Sequence, residues 1–158
     1  MPAKKGQSST EALLLLPLFL IFAFGMIQAG LLGAALVTTS YAAGSIARKA
    51  VAKNDFGFTA SNYQQRFQDL LFGGMQYHNL TGRTVLDPSG YYNLTVNACT
   101  KVTALPMMPY FLKKTLKGSL EATGDCTDEN PPVAFASQPP YYFVVHGMTK
   151  ARMNYRGS

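Results

Sequence analysis

Glu11 is the residue whose position most clearly suggests chemistry. Lys4 and Lys5 precede it, and no formally charged side chain follows it until Arg48. A carboxylate at the start of an apolar stretch is costly to bury alone and therefore seeks a partner. A helix start also favours negative charge through its dipole. Glu11 is thus a candidate for a charge pair, against the alternative of an acidic helix-start residue among lipid headgroups.

Cys99 and Cys126, the two cysteines of the chain, form the second candidate constellation. Outside the cytoplasm we expect them to form a disulfide, and closing a loop of this length contributes roughly 3–4 kcal/mol in the chain-entropy model. Two buried free thiols are one alternative. A Cys2His2 metal site with His78 and His146 is another, although zinc sites usually contain a close Cys-x2–4-Cys pair, which is missing here.

Composition bounds the class of protein. The chain has 158 residues, with 14 Lys+Arg against 8 Asp+Glu. Its hydrophobic content of 47% excludes a disordered tail, and two cysteines exclude a disulfide-dense mini-protein. Charged residues make up only 14% of the chain, well below the roughly 25% of a soluble domain. A wholly soluble globule is therefore not expected.

An apolar segment near the N-terminus explains the low charge. Residues 12–47 carry no formal charge, and about 20 apolar helical residues suffice to cross a bilayer. A secretory signal peptide has an apolar region of only about 7–15 residues, and the rest of the chain is too short to wrap such a helix in a soluble core. We expect a single membrane-spanning helix, with the lysines before it favouring a cytoplasmic N-terminus.

The apolar segment also carries residues suited to helix packing. Small residues recur along it and let apolar helices approach closely in lipid, although small residues are also simply common in spanning helices. They are Gly25, Ala29, Gly30 and Gly33. Pro17 lacks an N–H, so the carbonyl of Leu13 loses its usual helical partner, and we expect a kink there.

After the helix, the sequence predicts small secondary-structure elements. Residues 55–58 have the composition of a linker, and a short amphipathic helix is expected next, capped by Thr59 or Ser61. Residues 77–86 and 91–102 are rich in Thr, Val, Leu and Tyr and flank Asp-Pro-Ser-Gly, which predicts a β-hairpin. Residues 141–145 predict a last strand, followed by a tail containing Lys150 and Arg152. The predicted fold class is α+β: a long N-terminal hydrophobic α-helix followed by a small antiparallel β-sheet head.

The N-terminal motif resembles a known family. A Gly followed five residues later by Glu is similar to the class III signal of type IV pilins and pseudopilins. The closer resemblance is to TadE-like pseudopilins of tight-adherence (Tad) pili, which begin roughly G-Q-x-x-x-E and continue with L-P and G-x-x-E-x-G. The matching residues here are Gly6-Gln7, Glu11, Leu16-Pro17 and Gly25 to Gly30, with Gln28 where the family often has an acid. The likeness covers about residues 4–50.

The resemblance implies a processing step and a division of the chain. Residues 1–6 would be a leader that a prepilin peptidase removes between Gly6 and Gln7, since glycine lets the scissile bond lie extended in a protease cleft. Residues 7–54 would form the helix of the membrane and filament core, and residues 55–158 an exported head. Glu11 would then pair with the free amine of a neighbouring subunit.

The expected function is that of a structural subunit, a pilin or minor pseudopilin of a type IV/Tad-like pilus. Its partners would be copies of itself or co-pilins, the prepilin peptidase and the pilus assembly machinery. It would reside in the inner membrane before assembly and in the extracellular pilus afterwards. We expect no enzyme activity, cofactor, metal or nucleic-acid partner. The alternative is a single-pass envelope binding or secretion accessory protein that does not polymerise.

Overall fold

The computed structural model describes residues 7–105, 126–127, 131–136 and 141–153. The helices and strands follow each other in the order α1 (Gln7–Ala52), α2 (Ser61–Leu70), β1 (Met75–Leu86), β2 (Tyr92–Thr103), β3 (Val133–Phe135) and β4 (Tyr142–Met153). This arrangement confirms the predicted α+β class: a long apolar helix precedes a small antiparallel sheet. We call α2 and the sheet the head.

Helix α1 has 46 residues and is therefore about 70 Å long at 1.5 Å per residue. In its N-terminal part, all side chains from Leu13 to Phe22 are exposed. Its C-terminal part, from Gln28 to Ala50, lies against the sheet and buries one face there. One helix thus serves both as a projecting rod and as a layer of the head.

The sheet has the strand order β1-β2-β4-β3 with antiparallel neighbours. The predicted hairpin is confirmed, since Leu86 of β1 pairs with Tyr92 of β2. In its turn, the N–H of Gly90 donates to the carbonyl of Asp87 at 2.9 Å. Gly90 has a φ of 84°, a left-handed conformation that glycine adopts without steric cost.

Strand β4 is longer than the sequence predicted. Lys150 and Arg152 lie within it, paired with Thr95 and Asn93 of β2, and not in a tail. The alternation of side chains between the two faces of the strand explains why β4 extends this far. Gly147 lies against α1 and Met153 is fully buried in the core beside it, while the long charged side chains between them point to the opposite face.

The predicted amphipathic helix is α2, which buries Tyr63 and Phe67. The predicted cap is wrong. Ala60 occupies the N-cap without a side-chain hydrogen bond, and the hydroxyl of Thr59 instead donates to the carbonyl of Gly57 at 3.1 Å. Because that hydroxyl is used within the preceding loop, the helix start is held by packing rather than by a cap.

The connection at residues 55–58 packs closely against the head. The ring of Phe58 stacks on Tyr63 at 5.0 Å between centroids and covers Gly82 of β1. Phe56 packs against Tyr92 at 4.9 Å, and its carbonyl accepts a hydrogen bond from Thr84 at 3.0 Å. This segment therefore connects the two helices and also covers one end of the core.

The core lies between α1 and the facing side of the sheet. Small side chains of α1 allow the close approach, and each is fully buried: Ala35, Ala42, Ala43, Ala47 and Ala50. Leu80, Leu94 and Val96 face them from the sheet, and Phe67 closes the side under α2. The two-layer arrangement buries one face of the sheet on one stripe of the helix.

Candidate functional site

The projecting part of α1 is apolar on every side. Leu14 is 76% exposed, Phe19 66% and Ile27 53%. The segment Leu13–Ala52 is the one helix in the described chain long and apolar enough to cross a membrane, and only 6% of its most apolar window is buried. A helix that is hydrophobic all round needs an apolar environment on all sides. The head does not supply it, in contrast to the core helix of a soluble protein.

The residues predicted for processing and assembly lie at the start of this helix. Gln7 and Glu11 belong to α1 by their backbone, and Glu11 is its fifth residue. Gly6 and the side chains of residues 7–12 lie outside the described part of the structure. Cleavage between Gly6 and Gln7 and the pairing of Glu11 therefore stay predictions.

Pro17 lies within α1, and the helix continues through it from Gln7 to Ala52. The proline cannot donate to the Leu13 carbonyl, so the backbone is less tightly bonded in the middle of the projecting segment. The predicted kink at this point stays a prediction.

The predicted packing strip lies where α1 passes from the bare segment to the head. Gly30 and Gly33 face open space, since a β-carbon added at either would meet nothing within 4 Å. Ala29 is exposed and Gly25 partly so. The head does not cover the strip, and another helix can approach there. Its use in subunit packing stays a prediction.

Gln28 differs from its neighbours on the helix. Its side chain is only 1% exposed, whereas Met26 is 58% and Ile27 53% exposed. Its Oε1 accepts a hydrogen bond from the backbone N–H of Leu105, which follows β2, at 2.9 Å. Its Nε2 has no partner among the described residues. Gln28 is the one strongly polar side chain in the apolar segment, and this is the signal that could have marked it as a docking point.

Further along the chain, the backbone of α1 comes very close to the backbone of strand β4. Gly147 of β4 lies so close to the helix that an added β-carbon would be 2.7 Å from the backbone nitrogen of Ser40 and 2.8 Å from the carbonyl carbon of Thr39. Beside this contact, the buried hydroxyls of Thr39 and Thr100 share a hydrogen bond. Sequence reasoning missed this junction, because nothing in the sequence pattern marks which glycine faces a helix.

The predicted disulfide joins Cys99 of β2 to Cys126, with the Cα atoms 6.0 Å apart. The carbonyl of Cys126 also accepts a hydrogen bond from the Thr81 hydroxyl at 2.6 Å. Both sulfurs are bonded to each other and are not available as thiolate ligands, so the alternative Cys2His2 site does not form. The bridge lies on the sheet face opposite α1, where it ties Cys126 to β2.

Tyr63 and Asp55 form the main electrostatic contact of the inter-helix connection. The Tyr63 hydroxyl donates to Oδ2 of Asp55 at 2.8 Å. Burial raises the pKa of Tyr63 to about 12, and the hydrogen bond and negative charge of Asp55 add to the effect. The neutral phenol is thereby favoured in the folded protein.

The outer face of the sheet carries His78 and Lys101, and both side chains contact the ring of Tyr142. Burial lowers the pKa of His78, and the charge of Lys101 lowers it further. The Lys101 Nζ lies 4.8 Å from the centroid of the Tyr142 ring, and the His78 ring contacts the same ring. Both effects favour neutral His78, so Lys101 supplies the positive charge of this group.

The hairpin tip at the far end of the sheet is held by polar contacts. The Asp87 carboxylate accepts from the Ser89 N–H at 3.2 Å and from Asn93 at 3.3 Å. The hydrogen bond from the Ser89 backbone is the main cause of the lowered pKa of Asp87. Arg152 lies over the ring of Tyr91 at 3.8 Å and donates to the Ser89 hydroxyl at 3.0 Å. The tip therefore presents a fixed shape at the end of the head furthest from the bare helix.

Comparison with known families locates the likeness in the helix. Residues 6–48 match the model of the TadE-like protein family, which confirms the resemblance seen in the N-terminal motif. No curated protein and no solved structure gives a significant match. The matched range begins at the predicted cleavage glycine and includes the bare segment, Gln28 and the junction at Thr39 and Ser40; α2 and the sheet lie outside it.

Proposed function

Because residues 6–48 are TadE-like, we propose that the chain is a pilin or minor pseudopilin of a Tad-like pilus, with a structural rather than a catalytic role. The observation that carries the proposal is the bare segment from Leu13 to Ile27, which is apolar all round and is exposed from Leu13 to Phe22 and again at Met26 and Ile27. Such a segment is stable in lipid or among copies of itself. A subunit that moves from the first environment to the second is the basis of the proposed assembly.

Moving the apolar helix from lipid into a bundle of helices costs little free energy, because both environments are apolar. In this proposal, the selectivity of assembly comes from a charge pair between subunits. In this proposal the peptidase cuts between Gly6 and Gln7 and releases an α-amino group with a pKa near 8. The Glu11 carboxylate of an incoming subunit pairs with that amine on a subunit already in the filament. Removing one member of a buried pair costs roughly 3–5 kcal/mol. A subunit that cannot form the pair would therefore be disfavoured in the filament.

The proposed sequence of locations follows from the same steps. The subunit resides in the inner membrane through α1, with its head on the outer side, and moves into an extracellular pilus on assembly. The oxidised Cys99–Cys126 pair supports an exported head, because disulfides persist outside the reducing cytoplasm. The proposed partners are the prepilin peptidase, the pilus assembly machinery, and copies of the chain or co-pilins.

The decisive experiment is the intact mass and N-terminal sequence of the protein in sheared cell-surface material. We expect chains that begin at Gln7 and co-sediment with fibres. Chains found only in the membrane fraction, at full length, would favour the alternative of an accessory protein that does not polymerise.

A second experiment tests the charge pair. Glu11→Ala should leave membrane insertion intact and remove the chain from sheared fibres, whereas the neighbouring Thr10→Ala should assemble normally. Fibres containing Glu11→Ala at the wild-type level would contradict the proposed role of Glu11.

A further inference from the structure

We propose that the membrane-proximal end of the head enters the boundary between the lipid headgroups and the acyl chains before assembly. The surface concerned, which we call the proximal rim, consists of residues 72–74 before β1 and residues 104–105 after β2. The inference rests on the proposed membrane-embedded state of the subunit, and it assigns the rim a lipid surface as its partner.

The first argument is the length of the bare helix. The segment from Leu13 to Ile27 spans about 22 Å at 1.5 Å per residue, whereas the hydrocarbon core of a bilayer is about 30 Å thick. The bare segment alone is therefore too short to cross the membrane, by roughly five residues. A tilted helix needs still more residues.

The missing length cannot come from the N-terminal side. Residues 7–11 read Gln-Ser-Ser-Thr-Glu, and a polar run that ends in an acid belongs at the membrane surface, because hydrocarbon supplies no polar partner. On the C-terminal side the next residues are Gln28 to Leu32, of which Leu31 and Leu32 are apolar. The hydrocarbon boundary is thus expected near Leu32.

Those C-terminal residues already touch the head. Leu31 and Leu32 pack against a cluster that includes Val102 of β2 and Phe143 of β4. Gln28, one turn lower, is bonded to the backbone of Leu105. If the boundary lies near Leu32, this end of the head must enter the membrane surface by roughly one helical turn.

The proximal rim has the composition that such a position requires. Met75 pairs with Val102, so the turn before β1 and the chain after β2 meet at this end of the sheet. The five rim residues are Phe, Gly, Gly, Ala and Leu, none of which is charged. Phe72 is 57% exposed, and Phe is among the apolar side chains that interfacial segments bury at the boundary between headgroups and acyl chains.

The enclosure of the Gln28 side chain supports the same depth for the head. A polar side chain at membrane depth needs a polar partner, because lipid supplies none. Gln28 is enclosed at 1% exposure, and its acceptor is satisfied by a head backbone N–H rather than by water. The head therefore accompanies the helix to the level at which lipid would otherwise surround that amide.

The chain contains no tryptophan, so a single introduced indole reports on one position. We would reconstitute three full-length variants, Phe19→Trp, Phe72→Trp and Tyr91→Trp, into phosphatidylcholine vesicles. Fluorescence is then measured with lipids brominated near the ester end or near the middle of the acyl chains. All three side chains are at least partly exposed, at 66%, 57% and 38%, so the substitutions should be tolerated.

We expect the indole at position 72 to emit at shorter wavelength than that at position 91 and to lose intensity with the shallow bromines. The indole at position 19 should be quenched most by the deep bromines, and that at position 91 by neither. Quenching at position 19 without quenching at position 72 would overturn the inference, imply local thinning of the bilayer, and leave the proposed function standing. No quenching at position 19 would overturn the membrane-embedded state and the inference together.

Discussion

The Oε1 atom of Gln28 accepts a hydrogen bond from the backbone N–H of Leu105, 2.9 Å away. This bond joins the helix to the chain leaving β2 at the level where α1 emerges from the head. The helix is mostly exposed before this bond, and after it one face of the helix lies against the sheet. The contact thus sets the boundary between the rod and the head.

Replacing Gln28 tests that boundary. Gln28→Leu keeps the bulk but removes the acceptor, and leaving the Leu105 N–H unpaired should cost about 1–3 kcal/mol. The neighbouring Ala29→Leu is the matched control, because Ala29 is exposed. Chemical unfolding of the full chain in detergent, followed by circular dichroism, provides the measurement. Equal stability of Gln28→Leu and Ala29→Leu would show that the bond does not hold the head to the helix.

Gly147→Ala should be among the most damaging small substitutions. The new methyl group would meet the backbone of Thr39 and Ser40 at under 3 Å, and backbone cannot rotate away as a side chain can. Overpacking of this kind costs typically 1–3 kcal/mol, which should lower the melting temperature by several degrees.

Gly33→Ala is the control for the glycine at this junction. It adds the same methyl group to the same chain, but in open space and within a helix, where Ala is favoured over Gly. The isolated subunit should be unchanged or slightly stabilised. A Gly147→Ala variant as stable as Gly33→Ala would contradict the close approach of α1 and β4.

The disulfide should contribute measurably to stability. The variant with both Cys99→Ala and Cys126→Ala should lose about 2–4 kcal/mol of unfolding free energy. A reducing agent should destabilise the wild type by a similar amount and leave the double variant unaffected. If the reductant lowers the stability of both proteins equally, its effect does not come from this bridge.

The raised pKa of Tyr63 predicts that the folded protein loses stability at high pH. Its pKa is raised in the folded protein to about 12, above the value of about 10 in an unfolded chain. The folded state therefore holds the proton more tightly, and its stabilising effect is complete below pH 10. It is lost as the pH rises from 10 to about 12.

Comparison with Tyr63→Phe isolates this effect from other groups that titrate in the same range. The unfolding free energy of each protein is measured at intervals from pH 8 to pH 12. The difference between wild type and Tyr63→Phe should shrink above pH 10. A constant difference would mean that the phenol keeps its ordinary pKa in the folded protein.

The elements with strong local signals were predicted from sequence. The uncharged apolar run was enough to predict α1. The Asp-Pro-Ser-Gly turn was enough to predict the hairpin, because Gly90 adopts a conformation that other residues avoid. The disulfide was predicted because the chain has only two cysteines and its C-terminal part was expected to be exported. These features depend on residue type and neighbouring positions alone.

The features that were missed depend on contacts distant in sequence. Strand β3 has only three residues, too few for a periodic pattern, and exists because it pairs with β4. The extension of β4 was hidden by Lys150 and Arg152, whose charges read as a tail although one face of the strand is buried. The contact of Gln28 with Leu105 joins residues 77 positions apart, and no local pattern indicates it.

The way α1 lies along the sheet has a mechanical consequence. Tension applied through the bare rod reaches the head at Gln28 and is spread over the whole length of helix that lies on β2 and β4. The load then acts as shear across many side-chain contacts and the Gly147 junction, and does not peel strands apart one hydrogen bond at a time. A subunit pulled through this rod is therefore expected to resist by shear before its strands separate.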